Sequence, residues 1–488
     1  PLPNIDYNLR VGNSLIGYVD LSEFKEARIT ISDFLGDREK ATLDNLLKER
    51  NDLIRKYKRA EGEEANELKG LVHEFDGKIS NMLNTDLYQR FQEKKIKISK
   101  EEFLKLDPFH WGFEFYEVFD LDRQKEERGF DAVIGNPPYG AELNRIEKIW
   151  LKKRHECNRA NNSAEYFFEK CFELIVQSGL VGYIVPKTIG FYSAWEDIRK
   201  YLLSKKVTHL FDVGIGFVGV NYEELVIIVK NQEYATFEES IVLIDKSENL
   251  KRATGIKDAI FSGRLTQKLM RRHNKLIFSP INSPEDEIIA YMEKSNIKFR
   301  EIYNRAFRGL YISDKEKAQL KIGDISWIDK VPHVKRYYLS HIMKINIEKT
   351  EWQKKIEDIM VPRIFFKVLR GKRLVCFIDD KGKFLTTEKL VNVTLKDSSN
   401  YKLQTLMLIL NSPLPSFYIQ KMLFSDTTET SRVMDDIYVG ETPIPHPAPK
   451  NQQSFITLCN YMLFLNETEE RRKDEKELIG FIDKQVID

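Results

Sequence analysis

The sequence predicts an α/β domain with a helical insert, followed by a mixed α+β domain. Between about residues 107 and 250, short apolar runs that suit buried strands alternate with amphipathic helical segments. This alternation is typical of a largely parallel sheet covered on both faces. Beyond about residue 250 it gives way to short strands, basic clusters and C-terminal helices. We therefore place a domain boundary near residues 248–258, with one domain at 1–250 and a second at 251–488.

The strands of the first domain are predicted from apolar runs, and its helices from apolar residues at helical spacing. Ser163 is the expected N-cap of the first helix, and Gly179 is its expected stop signal. The connection between the last two strands is too short for a helical crossover, so we expect an antiparallel pair at one edge of the sheet. The predicted strands are 130–136, 179–186, 207–214 and 224–231, and the predicted helices are 163–179 and 195–206.

A helical insert is predicted within the first domain, at about residues 18–128. Leu43, Leu46, Leu47 and Ile54 share one face of a predicted helix. The charged residues between them are typical of a solvated helix face. The second domain has predicted strands at 373–379 and 389–395 and predicted helices at 401–412 and 451–486.

Composition limits the class of protein. The 488-residue chain is 42% hydrophobic and has a formal net charge of +2, so it is globular and any nucleic-acid surface must be a local basic patch. Its four cysteines form no CxxC pair, and we predict neither a disulfide scaffold nor a metal site, in a reducing cytoplasm. No apolar run reaches the length of a membrane span, so we expect no membrane contact.

The tetrapeptide Asn136-Pro137-Pro138-Tyr139 closes a predicted strand, where an α/β sheet places its ligand-binding groups. Its chemistry suits a planar amino group, whose nitrogen is a poor nucleophile because its lone pair is delocalised into the ring. The Asn136 amide oxygen and the Pro137 carbonyl can accept the two amino hydrogens, and the prolines stiffen the turn. Tyr139 offers a flat face on which an extruded base could stack. The alternative is a proline-rich turn that only caps the strand.

Several longer segments surround this motif. DYNLRVGNSLIG (6–17), PFHWGFEFYEVF (108–119), FDAVIGNPPYG (130–140), SGLVGYIVPKTI (178–189) and FDVGIGFVGVNYEELVIIVK (211–230) resemble the adenine-N6 DNA methyltransferase module of type IIG restriction-modification enzymes. MVPRIFF (360–366), LILNSPLPSFYIQKMLF (408–424) and VGETPIPHP (439–447) resemble a TaqI-like target-recognition domain. The resemblance implies a Rossmann-like methyltransferase sheet and methyl transfer from S-adenosylmethionine to adenine N6 in double-stranded DNA.

The resemblance also assigns roles to the four motif residues. Asn136 and Pro137 would bind the adenine amino group, and Tyr139 would stack on the flipped base. Pro138 would lie beside the cofactor. The residues of the motif itself would therefore supply both acceptors and one stacking surface.

Three positions outside the motif receive roles from the same resemblance. Asn13 stands where many relatives carry an aspartate that binds the cofactor's adenine. Phe217 is the candidate for the aromatic residue on the far side of the flipped base, with Tyr222 as the alternative and ordinary core packing of Phe217 left open. The main cofactor loop and a nuclease region are expected upstream of Pro1. We therefore expect this chain to be part of a longer protein and inactive alone.

The segment PRIFFKVLRGKR (362–373) combines cations with aromatic residues and contains no acid. Arg363, Lys367, Arg370 and Arg373 are predicted to contact DNA phosphates, which position a protein without reading sequence. Two other functions stay open at this point. One is methylation of another planar amino group, in an RNA base or a protein glutamine, and the other is DNA recognition without catalysis.

Overall fold

The computed structural model describes residues 6–24, 43–140, 142–157, 162–217, 222–233, 241–247, 259–267, 270, 281, 283–294, 297–367, 373–424, 427, 435–468, 472–473 and 475–485. A six-stranded sheet organises the first part of the chain. Its strands are β1 (Phe130–Gly135), β2 (Ile175–Pro186), β3 (Lys205–Gly214), β4 (Glu224–Glu233), β5 (Ile241–Ser247) and β6 (Ala259–Thr266).

The strand order of this sheet is β1-β2-β4-β3-β5-β6. β1 and β2 are parallel, as are β3 and β5, whereas the other three neighbouring pairs are antiparallel. The prediction of a largely parallel sheet is therefore wrong, because β4 returns between β2 and β3 and runs antiparallel to both. The predicted antiparallel pairing of β3 with β4 is confirmed, but its predicted place at an edge is wrong. Leu225, Ile227 and Val229 of β4 are buried, which suits a central strand.

The described part of the insert before β1 is mainly helical. Its helices are α1 (Leu43–Tyr57), α2 (Gly62–Glu93), α3 (Lys100–Leu104) and α4 (Trp111–Glu114). The four apolar positions expected to share one face of α1 are all buried. Phe91 of α2 stacks on Trp150, with ring centroids 4.0 Å apart, and Trp150 belongs to α5 (Arg145–Arg154). The insert therefore packs directly on the sheet domain.

The helix after α5 differs from the prediction at both ends. α6 spans Ser163–Leu174, and its N-cap is Asn162, whose side chain accepts the amide of Ala164 at 3.0 Å. The predictions of Ser163 as N-cap and Gly179 as stop signal are wrong. The chain is already in β2 at Ile175, because Ile175 pairs with the first residue of β1. The next helix, α7 (Glu196–Ser204), lies within the predicted range.

The second part of the chain mixes short strands and helices, as predicted for an α+β domain. Its strands are β7 (Ile297–Lys298), β8 (Tyr303–Arg308), β9 (Lys321–Ile328), β10 (Val334–Lys335), β11 (Tyr338–Leu339), β12 (Met343–Asn346), β13 (Arg363–Lys367), β14 (Cys376–Asp379), β15 (Phe384–Thr386), β16 (Leu390–Leu395) and β17 (Pro443–Ile444). Its helices are α8 (Ser283–Lys294), α9 (Asp314–Lys317), α10 (Thr350–Ile359), α11 (Leu403–Asn411), α12 (Pro413–Tyr418), α13 (Asp436–Val439), α14 (Gln452–Leu465) and α15 (Lys476–Gln485).

Two sheets organise this second part. An antiparallel sheet has the order β14-β13-β16-β8, and a three-stranded sheet has the order β12-β9-β15. The side chain of Asn411, at the end of α11, exchanges two hydrogen bonds of 3.0 Å with the backbone of Cys376 in β14. This contact fixes the buried helix α11 against the four-stranded antiparallel sheet.

The six-stranded sheet continues further along the chain than expected. The predicted boundary, 248–258, lies outside the described residues, but β6 follows it and still pairs with β5. Gln267, just after β6, hydrogen-bonds the backbone of Leu203, Lys205 and Val207. The division at residue 250 is therefore wrong, since the sheet of the first domain reaches Thr266.

Neither a membrane-spanning helix nor a cluster of metal ligands is found among the described residues. No described helix has both the length and the apolar character needed to cross a membrane. Within the same residues, no group of three or more His, Cys, Asp or Glu side chains could hold a metal ion. The four cysteines are buried and unpaired by disulfides.

Candidate active site

The motif lies at the end of an edge strand. β1 is the outermost strand of the described sheet, and Asn136 follows it directly. Asn136 and Pro138 are exposed, Pro137 is buried and Tyr139 is half-buried. Gly135 pairs with Tyr183 of β2, and a β-carbon at Gly135 would lie 3.3 Å from that ring. The backbone before Asn136 is therefore held closely against β2.

Two hydrogen bonds from distant residues hold the loop after β1. The hydroxyl of Ser163, at the start of α6, donates to the carbonyl of Pro138. The hydroxyl of Tyr139 donates to Oε1 of Glu224 at 2.9 Å. No hydrogen bond between described residues involves the Asn136 amide or the Pro137 carbonyl. The two acceptors named by the sequence are therefore both available, while the third carbonyl of the motif is occupied.

A cavity of about 330 Å³ opens beside these acceptors. Asn136, Pro137 and Pro138 line it, together with Phe109 and Trp111 from the segment before β1. Its size lies within the range of small-molecule sites. The polar residues of its wall also include Lys170, which belongs to α6.

Two buried charged residues, Lys170 and Glu224, lie near the loop. The Nζ of Lys170 lies 2.9 Å from Oε2 of Glu173, and burial lowers the pKa of this ammonium group. Burial also raises the pKa of the Glu224 carboxyl, partly offset by the hydrogen bond from Tyr139. Burial raises the pKa of the Tyr139 hydroxyl, which keeps it protonated and able to donate. The tyrosine is thus fixed at its hydroxyl end and linked to the sheet.

Aromatic rings gather beside Tyr139. Tyr222 meets it edge-on, with ring centroids 5.6 Å apart and an angle of 80° between the planes. Phe217 is 41% exposed, so the alternative of ordinary core packing for Phe217 is wrong. The contact with Tyr139 therefore comes from the alternative candidate, Tyr222, and Phe217 presents an exposed ring after β3.

Asn13 is placed differently from the motif residues. Its Nδ2 donates to Oε1 of Glu147 at 2.7 Å, and its Oδ1 accepts the amide of Leu15 at 3.3 Å. Its neighbours Gly12 and Ser14 line the cavity, whereas Asn13 does not. Both polar atoms of the Asn13 amide therefore already have partners within the chain, and a cofactor role for Asn13 stays a prediction.

The residues predicted to contact DNA phosphates differ in their burial. Arg363 is completely buried and pairs with Asp379 at 2.9 Å, so the prediction that it contacts DNA is wrong. Lys367 is half-buried, and nearby Lys335 adds to the effect of burial in lowering its pKa. Arg373 is half-buried, and Arg370 lies outside the described residues.

Several residues of the site were missed at the level of sequence. Ser163 and Glu224 each hold the motif loop, yet they lie 25 and 85 positions from their partners. Lys187 forms a buried contact with Glu223, the neighbour of Glu224. The sequence signal for a buried site here is the pair of consecutive acids, Glu223 and Glu224, before an apolar strand. Acids are rarely fully buried without a partner.

Two segments of the chain match known protein families. Residues 71–216 match the family model described as Eco57I restriction-modification methylase, and residues 264–444 match the TaqI-like C-terminal specificity domain. A putative type II restriction enzyme and methyltransferase, RM.MjaORFECS2P of Methanocaldococcus jannaschii, is 25% identical over 91% of this chain. The chain spans only 39% of the length of that relative.

Further similarities cover less or are more distant. Modification methylase CviBIII of Paramecium bursaria Chlorella virus NC1A is 32% identical over 15% of this chain and 19% of its own length. Among solved structures, the type IIL restriction-modification enzyme MmeI in complex with DNA has a TM-score of 0.45 and 9% identity, covering 84% of this chain and 60% of that chain. The type IIG restriction endonuclease BpuSI has a TM-score of 0.30 and 12% identity, covering 93% and 67%. The chain contains an Eco57I restriction-modification methylase domain followed by a TaqI-like C-terminal specificity domain.

Proposed function

We propose that this chain is the methyltransferase and target-recognition part of a restriction-modification enzyme. The reaction is methyl transfer from S-adenosylmethionine to the N6 amino group of adenine at a specific DNA sequence. One observation carries the proposal: Asn136 and Pro137 present two oxygen acceptors without partners among the described residues, next to a cavity and a tyrosine held at its hydroxyl. The family matches and the methyltransferase relatives support the same reaction class.

The role of the acceptors follows from the electronic structure of adenine. The amide oxygen of Asn136 and the carbonyl of Pro137 accept the two hydrogens of the amino group. This pair of bonds favours a tetrahedral nitrogen, so the lone pair is no longer delocalised into the ring. No general base is required in this arrangement, since the proton can leave to water at the exposed Asn136 after transfer. The loop contributes mainly by positioning.

The cofactor belongs in the cavity beside the motif. S-adenosylmethionine supplies an electrophilic methyl group when it is bound. Pro138 would form the wall nearest to the acceptors, and Gly12, Ser14 and Phe109 would form other parts of the wall. The largely apolar and aromatic lining fits a small organic molecule, while the main cofactor loop is proposed to lie elsewhere in the full-length protein.

The target adenine leaves the DNA stack to reach this loop. Tyr139 would stack on the flipped base, because its ring is held at one end by Glu224 and along one edge by Tyr222. The exposed ring of Phe217 would cover the base from the other side. Extrusion of a base is the usual solution for enzymes whose target atom is inaccessible inside a duplex.

The second domain is proposed to bind the duplex. Lys335 and Lys367 lie close enough for one to affect the titration of the other. No ion pair between described residues joins either lysine to an acid. Two neighbouring cations without an acidic partner suit DNA phosphates. In the full-length protein, cleavage of DNA is assigned to an N-terminal nuclease region, in keeping with the double name of the Methanocaldococcus jannaschii relative.

The test is an Asn136→Ala change in the full-length protein. We expect methyl incorporation into DNA to fall by at least about a hundredfold, as for loss of a group that acts only through oriented hydrogen bonds. Asn136→Asp keeps an oxygen acceptor and should retain more activity than Asn136→Ala. Asn81→Ala, at an exposed position of α2, is the matched control and should behave as wild type.

The same assay separates the alternatives. Labelled methyl transfer is measured with DNA, RNA and protein as acceptors. Transfer to RNA or protein alone would assign the motif to another planar amino group. DNA binding with no transfer to any acceptor would leave only recognition. Wild-type rates for Asn136→Ala would refute the proposed role of the loop.

A further inference from the structure

A buried charge cluster lies where the two domains meet. The Nζ of Lys187 lies 2.6 Å from Oδ2 of Asp212 and 3.0 Å from Oε2 of Glu223. All three side chains are at most 5% exposed. The hydroxyl of Thr427 donates to the same Oε2 of Glu223 at 2.9 Å. Thr427 belongs to the specificity domain, whereas the three charged residues belong to the sheet domain.

Thr427 is held in a packed junction. Its amide donates to the carbonyl of Phe424 at 3.0 Å. The Phe424 ring meets Phe191 of the sheet domain, with centroids 5.9 Å apart, and also meets Tyr438 at 4.8 Å. Phe191 follows the short turn that carries Lys187. The hydroxyl of Thr427 therefore reaches the charge cluster from a region where both domains pack together.

The residue after Glu223 reaches the active site. Consecutive side chains of an extended chain point to opposite sides, and Glu224 indeed contacts Tyr139, at 2.9 Å between its Oε1 and the hydroxyl. Glu224 is completely buried. A β-carbon at Gly216 would come within 2.6 Å of its Oε2, so the carboxylate lies close to the Gly216 backbone. Two adjacent acids thus connect the specificity domain to the tyrosine.

We propose that Thr427, Glu223 and Glu224 couple the specificity domain to Tyr139, so that docking of this domain sets the position of the stacking ring. The inference rests on the proposed function and adds a means of regulation to the same site. Thr427 and Glu223 are positioning residues in this scheme, because neither of them lies in the motif loop.

The charge balance explains why a single hydroxyl matters. Among the described residues, the cluster holds one ammonium group and two carboxylates in a buried place. A hydrogen bond donated to a carboxylate is stronger than a neutral one. Without the Thr427 hydroxyl, Oε2 of Glu223 loses one donor while the Lys187 ammonium group remains. The carboxylate would then shift, together with the backbone that Glu223 shares with Glu224.

The experiment compares two matched variants of the full-length protein. Thr427→Val removes the donor to Glu223 with little change in volume. Thr405→Val is the control, because Thr405 is also fully buried in the specificity domain but its hydroxyl has no hydrogen-bond partner among the described residues. In both backgrounds 3-fluorotyrosine replaces Tyr139, and its ¹⁹F resonance is recorded without DNA. We expect Thr427→Val to shift or broaden this resonance and Thr405→Val to leave it unchanged.

Kinetics give the second measurement, on a duplex carrying the sequence that the wild-type protein methylates. Thr427→Val should lower kcat about tenfold, the size expected for one charge-assisted hydrogen bond, with KM for DNA unchanged. In a Tyr139→Phe background, the same substitution should lose most of this effect, because the hydroxyl that reaches Glu224 is absent.

The outcomes separate this inference from the proposed function. A Tyr139 resonance unaffected by Thr427→Val overturns the coupling, whether or not DNA is methylated. A shifted resonance in a protein that transfers no methyl group to DNA supports the coupling and refutes the proposed function. Equal kcat for the two valine variants, or full additivity with Tyr139→Phe, also overturns the coupling.

Discussion

Replacing Arg363 with leucine is expected to destabilise the specificity domain and to leave the electrostatic part of DNA binding unchanged. The guanidinium group is completely buried in β13. It donates to Oδ1 of Asn392 at 2.8 Å, to the carbonyl of Val361 at 2.9 Å, to Oδ2 of Asp379 at 2.9 Å and to the carbonyl of Phe384. Burial lowers the pKa of Arg363 to about 10, which still leaves it charged near neutral pH.

The expected magnitude follows from what the substitution leaves behind. Asp379 would keep the amides of Lys383 and Phe384, each at 2.8 Å, but would lose its counter-charge while buried. Removing one partner of a buried ion pair typically costs about 3–5 kcal/mol. A matched control is Arg305→Leu on β8, a strand of the same sheet. Its pair with Asp358 is 3.6 Å long and largely exposed, so the change should cost less than about 1 kcal/mol.

Urea unfolding followed by circular dichroism measures both free energies, and the salt dependence of DNA binding is measured below the unfolding transition. A double change of Lys335 and Lys367 to alanine should reduce the salt slope by about 2, near one for each phosphate contact, with little loss of stability. Arg363→Leu should leave the slope as in wild type. A stable Arg363→Leu variant with a reduced salt slope would refute the assignment of this arginine to the core.

Three further predictions follow from single contacts. Gly216→Ala should lower methyl transfer about tenfold or more while DNA binding persists, because its β-carbon would displace the Glu224 carboxylate; Gly70→Ala, with open space around it, is the control. Burial lowers the pKa of His110 to about 3. The free energy of unfolding should therefore fall as the pH drops from about 6.5 towards 3, by up to about 1.4 kcal/mol per pH unit. A His110→Gln variant with the same pH dependence as wild type would contradict this. Phe217→Ala should reduce methyl transfer without lowering stability, because the ring is 41% exposed; a loss above about 1.5 kcal/mol in urea unfolding would instead indicate core packing.

The fold could be predicted where local pattern determines structure. The helical insert, the strand that leads into Asn136 and the antiparallel pairing of β3 with β4 all follow from periodicity or from the length of a connection. Strand order does not follow from these signals. The position of β4 between β2 and β3 depends on which strand edges are free when it pairs, and this is decided by contacts distant along the chain. The predicted sheet therefore has too many parallel strand pairs, and its predicted end near residue 250 comes before β6.

Arg363 shows why charge along a sequence is a weak guide to an electrostatic surface. The run 362–373 contains cations and no acid, and a phosphate-binding strand is a reasonable interpretation of that composition. The missing acid lies on β14, where Asp379 pairs directly opposite Arg363 in the antiparallel register. A buried cation can therefore look unpartnered in the sequence whenever its partner comes from an adjacent strand.

The candidate site likewise combines a part that local sequence predicts with a part that depends on distant residues. The two proposed acceptors lie in consecutive residues at a strand end, so the sequence alone is enough to predict them as a pair. Their orientation depends on Ser163 and Glu224, which reach the loop only after α6 and β4 have packed. A short motif can thus predict a type of chemistry, whereas the geometry of its loop depends on residues that the motif does not contain. For this reason substitutions at Glu224 and its neighbour Glu223 test the proposed function more sharply than further substitutions within the motif.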